Sequence, residues 1–204
     1  MTRIALIDHG AGNLVSAQRG LERSGAAVDV VSGPSELEGV DGIVLPGVGT
    51  TGAAMARLRE QGLVGPLAAW AGPMLGICVG LQLFFDRSAE DDTECLGFIP
   101  GAVERLPAAP LLPHIGWNDV ALRDDPLFAG LGSSELFYFV HSYAPVPKEE
   151  STVIGWTEYG SRFAVAARRG SRVGVQFHPE RSGSAGLAVL ANFVAGCEEA
   201  KRAA

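Results

Sequence analysis

Residues 74–80 read MLGICVG, an apolar run that ends in Gly76-Ile77-Cys78-Val79-Gly80 and passes into a second apolar set at Leu81, Leu83, Phe84 and Phe85. A buried strand, a sharp turn between glycines and the start of a helix account for this order. The turn leaves the Cys78 thiol at the end of a strand. A helix N-terminus beside it favours the thiolate, which is the reactive form. Taken alone, the pattern is equally that of a small buried cysteine, since free Cys is among the most buried side chains.

Upstream, residues 4–7, 28–31 and 43–45 are further apolar runs of strand length. They alternate with helical spacing over 14–24 (Leu14, Ala17, Leu21, closed by Gly25), 52–61 and 67–71. Strands that are apolar throughout and alternate with helices predict a parallel sheet covered on both faces. Downstream, strands at 103–106, 115–117, 137–140, 153–156, 163–167 and 173–177 follow one another with little helix between them, which predicts antiparallel additions to that sheet. A last helix over 186–200 puts Leu187, Leu190, Ala191 and Val194 on one face. Residues 8–13 are read as a turn, and the stiff LPAAPLLP at 106–113 as a surface excursion. The expected fold is α/β: one domain over 1–204, with a central, mostly parallel sheet and helices on both faces.

Composition narrows the classes of function. A net charge of −7 with no Lys/Arg block argues against nucleic acid as a partner. The cysteines Cys78, Cys95 and Cys197 are odd in number and lack metal-type spacing, so a reduced, cytoplasmic setting is expected in place of a disulfide framework. The N-terminal MTRIALIDHGAGN lacks the layout of a signal peptide. No apolar run approaches the ~20 residues a membrane span needs. No ligand cluster implies a metal or an organic cofactor.

A cysteine nucleophile needs a base, and the base needs a group to orient it. GVQFHPE at 174–180 supplies both, with His178 and Glu180 directly after an apolar strand. Pro179 keeps His178 out of helical geometry. In an extended chain, side chains two apart share a side, so Glu180 reaches the imidazole. One ring nitrogen is then held and the other is left to accept a thiol proton. Functional groups of a doubly wound sheet gather at the carboxyl ends of its strands, where Cys78 and His178 both fall. His9, in a turn, and His114, at the start of a strand, are weaker candidates, and His141, at the end of one, has room to lie close to the site although a structural role is preferred for it. Pro46-Gly47-Val48-Gly49 lies after another strand, where glycines can turn backbone N–H groups towards a developing oxyanion. A plain strand-to-helix turn fits that segment as well.

GICVGLQLF, QFHPE and PGVG together resemble class I glutamine amidotransferases, which carry a Cys-His-Glu triad on a flavodoxin-like sheet. PHIGWN at 113–118, YFVHSY at 138–143 and DHGAGN at 8–13 are similar to the glutaminase subunits of imidazole glycerol phosphate synthases, and the likeness runs from Ile4 to Phe193. It implies Cys78 as nucleophile, His178 as proton carrier and Glu180 as its orienting group. It implies an oxyanion hole from Gly47, Val48 and Gly49 with the amide of Val79, and a glutamine pocket from Gln82, Ser142 and Tyr143. It places Asn13 and Trp117 towards a partner, a (β/α)₈-barrel cyclase forming a heterodimer that receives the ammonia. The sequence departs from that family at His9 (usually Tyr), Val79 (usually Leu), Thr50-Thr51 (usually Ala-Phe) and Arg181 (usually Lys).

Other class I subunits, serving aminodeoxychorismate, anthranilate or pyridoxal phosphate synthesis, share this chemistry with different partners. A cysteine hydrolase of peptides or thioesters and a non-catalytic flavodoxin-like binding protein are the remaining readings.

Overall fold

The computed structural model describes residues 1–10, 13–107 and 109–203. Ala11 and Gly12 of the expected turn, and Ala108 of the 106–113 excursion, lie outside them.

The first half runs β1 (Thr2–Ile7), α1 (Leu14–Arg23), β2 (Ala26–Val31), β3 (Gly42–Leu45), α2 (Thr51–Glu60), α3 (Val64–Ala69), β4 (Met74–Ile77) and the one-turn α4 (Val79–Gln82). The second half runs β5 (Arg87–Ser88), β6 (Thr93–Glu94), β7 (Gly101–Arg105), β8 (His114–Leu122), β9 (Ser134–His141), β10 (Tyr143–Pro147), β11 (Val153–Glu158), β12 (Arg162–Arg169), β13 (Arg172–Val175) and α5 (Gly183–Ala203).

The main sheet has nine strands in the order β2-β1-β3-β4-β13-β12-β11-β8-β9. From β2 to β13 every pairing is parallel. From β13 to β9 every pairing is antiparallel. Ile4 to Ile7, Ile43 to Leu45, Met74 and Leu75 are all fully buried, so both faces of β1, β3 and β4 are covered, while the edge strand β2 leaves Val30 exposed. The helices pack as two pairs, α1 with α5 and α2 with α4.

The strand expected at 103–106 does not join this sheet. As β7 it pairs with β10 and β5 in a second sheet of four strands, β10-β7-β5-β6. The reason lies just after α4. The carbonyls of Leu83, Phe84 and Phe85 accept the amides of Leu96, Ile99 and Gly97 instead of continuing a helix, and this draws the chain off the main layer. The apolar residues Leu83 to Phe85 are therefore fully buried as a tight turn packed into the core.

β9 forms the sheet edge, and β8 pairs with β11 only through Leu122 and Ala121. One side of the β8–β9 hairpin packs Phe137 and Phe139 on Phe177, and the other presents Ile115, Trp117 and Leu136 to solvent. No described helix is long and apolar enough to cross a membrane.

Candidate active site

β4 ends in the turn that raises Cys78. Its backbone sits at φ 55°, ψ −109°, a strained conformation for a residue with a side chain. The glycines on either side permit the turn. A Cβ on Gly76 would stand 2.6 Å from the Gly80 carbonyl oxygen, and one on Gly80 would overlap the carbonyl of Leu45 at the end of β3. Cys78 is buried at 3 % exposure, with its sulfur 3.9 Å from the Val140 carbonyl. The helix behind it is a single turn, Val79–Gln82, too short for a large macrodipole.

β13 lies beside β4 in parallel register and delivers His178 to the same end of the sheet. Glu180 does not reach the imidazole along an extended chain, as the sequence suggested, but across a 3₁₀ turn, Pro179–Arg181. The result is the expected bond, His178 Nδ1–H to Glu180 Oε1 at 2.8 Å, with both side chains buried. Since a carboxylate only accepts, the Nδ1 proton leaves Nε2 for the thiol. Ser182 fastens the turn, donating to the His178 carbonyl at 2.6 Å and accepting the Tyr138 amide at 3.0 Å.

Burial works against a charged imidazole. Hydrogen bonds with Cys78 and Glu180, and the negative charge of both, outweigh it and raise the His178 pKa to about 10. The stabilisation linked to this shift is complete below the ordinary imidazole range and is lost as pH rises through about 10. Cys78→Ala removes one of the two sources of stabilisation. The His178 pKa, followed through its imidazole NMR shifts, is expected to fall in that variant. An unmoved titration would mean that the two side chains are not in contact.

A cavity of about 270 Å³ opens over the thiol. Val48, Gly49 and Val79 line it with Cys78, His178 and Glu180, whereas Gly47 is buried behind Val79. Gln82, Ser142 and Tyr143 form another part of the wall. Gln82 is buried and donates through Nε2 to the Tyr143 carbonyl and to Gln176 Oε1, each at 3.0 Å. Of the two residues assigned to a partner surface, Asn13 is exposed on the cavity rim. Trp117 stands on β8, 55 % exposed, edge-on to Tyr138.

One residue of the site, Glu90, went unassigned in the sequence reading, and others play parts it did not give them. Glu90 enters the cavity from a short turn, and burial raises its pKa although the Thr51 amide opposes the shift. A carboxylate there suits an ammonium group. The Thr50-Thr51 pair has a clear use. Thr50 caps α2 through Ala53 N, and buried Thr51 donates its hydroxyl to the Glu90 carbonyl. His9 is fully buried and bonds the Pro46 carbonyl through Nε2 at 2.6 Å, which anchors the start of the glycine loop. His141 lines the cavity as a neutral group, its pKa lowered by burial to about 4. Its Nδ1–H holds the Tyr143 carbonyl at 2.8 Å, and its Nε2 accepts from His114 at 3.0 Å. Among the described residues no group of three or more His, Cys, Asp or Glu is placed to hold a metal ion.

The chain has known relatives. Residues 5–197 match the family described as glutamine amidotransferase class-I. The chain is 50% identical over 198 residues to the imidazole glycerol phosphate synthase subunit HisH of Moorella thermoacetica, a match covering 95% of this chain and 94% of that one. With the HisH subunit of Nocardia farcinica it shares 47% identity over 209 residues, 95% of this chain and 99% of the relative. The fold superposes on a glutamine amidotransferase crystal structure with TM-score 0.73 at 22% identity, covering 94% and 98% of the two chains. A glutamine amidotransferase from Thermotoga maritima gives TM-score 0.63 at 20% identity, covering 88% and 76%. Identities that low speak for the fold alone. The sequence match over nearly its whole length, meeting a cysteine, histidine and glutamate gathered at one end of the sheet, assigns the chain to the class I glutamine amidotransferase family.

Proposed function

We propose that the chain hydrolyses glutamine to glutamate and ammonia, and passes the ammonia to a separate synthase subunit for histidine biosynthesis. One observation carries this reading: the strained Cys78 turn set against the bonded His178–Glu180 pair, in a chain so close to HisH subunits.

In the proposed reaction the Cys78 thiolate attacks the carboxamide carbon of glutamine, and His178 holds the thiol proton. The amides of Val48 and Gly49, which line the cavity, and of Val79 receive the negative oxygen of the tetrahedral intermediate. On collapse the departing –NH2 group takes the proton from His178 and leaves as ammonia, with a thioester left behind. Water, deprotonated by His178, then attacks the thioester, and the returning proton restores the thiol as glutamate leaves. Glu90, Gln82 and the Ser142–Tyr143 backbone hold the amino-acid end of the substrate.

The partner is a (β/α)₈-barrel cyclase, converting the phosphoribulosyl formimino intermediate (PRFAR) and ammonia to imidazole glycerol phosphate and AICAR. The exposed side of the β8–β9 hairpin supports a docking face beside the site, because Ile115, Trp117 and Leu136 are large apolar groups left at least half exposed. The whole chain acts as one domain, and the cytoplasm is its setting.

The test is glutamate release by the chain alone, with the barrel subunit, and with that subunit bound to its ligand. Activity is expected to be low alone and to rise by about two orders of magnitude in the liganded complex. Vigorous turnover indifferent to the barrel would assign the chain to another amidotransferase.

A further inference from the structure

The last register pair of β4 and β13 is Ile77 with Val175. The next residues along, Cys78 and Gln176, therefore follow side by side just beyond the ends of the two strands. Gln176 is fully buried, and its Nε2 stands 3.5 Å from Cys78 Sγ. Its orientation follows from a chain of bonds. The Tyr143 carbonyl can only accept, so the Gln82 atom facing it is the nitrogen. That same nitrogen also meets Gln176, whose facing atom is then the acceptor Oε1, which turns its N–H towards the sulfur.

As a thiol, Cys78 can donate to the Val140 carbonyl 3.9 Å away. As a thiolate it loses that partner and needs donors inside a site where little water reaches. We propose that Gln176 is the second hydrogen-bond donor to the Cys78 thiolate, holding the sulfur between its amide and the His178 imidazolium. The proposal rests on Cys78 being the nucleophile of the glutaminase reaction. Through Gln82, the same chain ties the sulfur to the Tyr143 carbonyl in the wall of the glutamine cavity. Cys78, Gln82 and Gln176 are thus positioned as one unit.

The experiment compares Gln176→Met, which removes the donor, with Gln176→Glu, which turns an acceptor towards the sulfur. Alkylation of Cys78 by iodoacetamide is followed against pH by peptide mass mapping, with circular dichroism as the check on folding. In Gln176→Met the midpoint of the alkylation curve is expected to move up by about one pH unit, a tenfold fall in thiolate at a given pH. In Gln176→Glu it should move further, and kcat for glutamine should fall more than KM rises in both. Either folded variant superimposing on the wild-type alkylation curve overturns the proposal, and Gln176→Met decides the matter if the glutamate variant fails to fold. Iodoacetamide needs no glutamine. A wild type that never releases glutamate therefore sinks the functional reading, while the alkylation curves still judge Gln176.

Discussion

Replacing Cys78 by alanine is expected to lower glutamate release by at least about four orders of magnitude, the scale on which the loss of a nucleophile acts when its triad works as a unit. The fold should survive, because the change removes one small atom and leaves the backbone turn to Gly76 and Gly80. Glutamine should still bind, since the cavity wall formed by Gln82, Ser142, Tyr143 and Glu90 is untouched. No other thiol can substitute. Burial pushes Cys95 up to about 11 and Cys197 up to about 12, so both are protonated at neutral pH. A glutamine-mimicking electrophile should accordingly label Cys78 and spare the other two. Residual activity above about 1 % of wild type, on the same scale of effects, would place the nucleophile elsewhere. Equal labelling of all three cysteines would return the chain to a non-catalytic binding role.

What could be read in the sequence was what chain-local chemistry decides. The apolar runs at Ile4 and Ile43 had to be doubly covered strands, and GICVG had to be a sharp turn, because only glycines allow the approach found there. His178 and Glu180 were legible as a pair since they stand two residues apart, although a 3₁₀ turn and not an extended chain joins them. The rest depends on contacts between distant segments. Gln176 sits in the same GVQFHPE run as the base, yet its role appears only when register sets it beside Cys78. Glu90 lies in a short turn without periodicity and reaches the cavity because Thr51 holds its backbone and its carboxylate. β5, β6 and β10 are too short or too mixed in composition to show a period, so the second sheet was not foreseen. Thr51 illustrates the general point. Buried, with its amide and its hydroxyl both on Glu90, it is a strut under a wall of the site.

Gly80→Ala is expected to be the most damaging addition of a methyl group at any described glycine. A Cβ there falls on the carbonyl of Leu45, a backbone atom at the end of a fully buried strand, where no side-chain rotation gives relief. The overlap can be removed only by separating β3 from the turn that carries Cys78. Such forced backbone displacement costs about 3–4 kcal/mol, which for a chain of this size corresponds to a fall in Tm of roughly 10 °C. Activity should suffer beyond the loss of stability, because Leu45 leads directly into Pro46-Gly47-Val48-Gly49 and moves the loop together with its own carbonyl. Gly49→Ala makes the contrast. That position has φ +88° with open space around an added Cβ, so its cost is conformational, about 1–2 kcal/mol. Denaturant unfolding of both variants, with glutamate release measured well below their transitions, separates the two effects. If Gly80→Ala unfolded like the wild type and kept full activity, β3 and the nucleophile turn could not be in backbone contact, and the loop would owe its position to something other than the packing of Gly80 on Leu45.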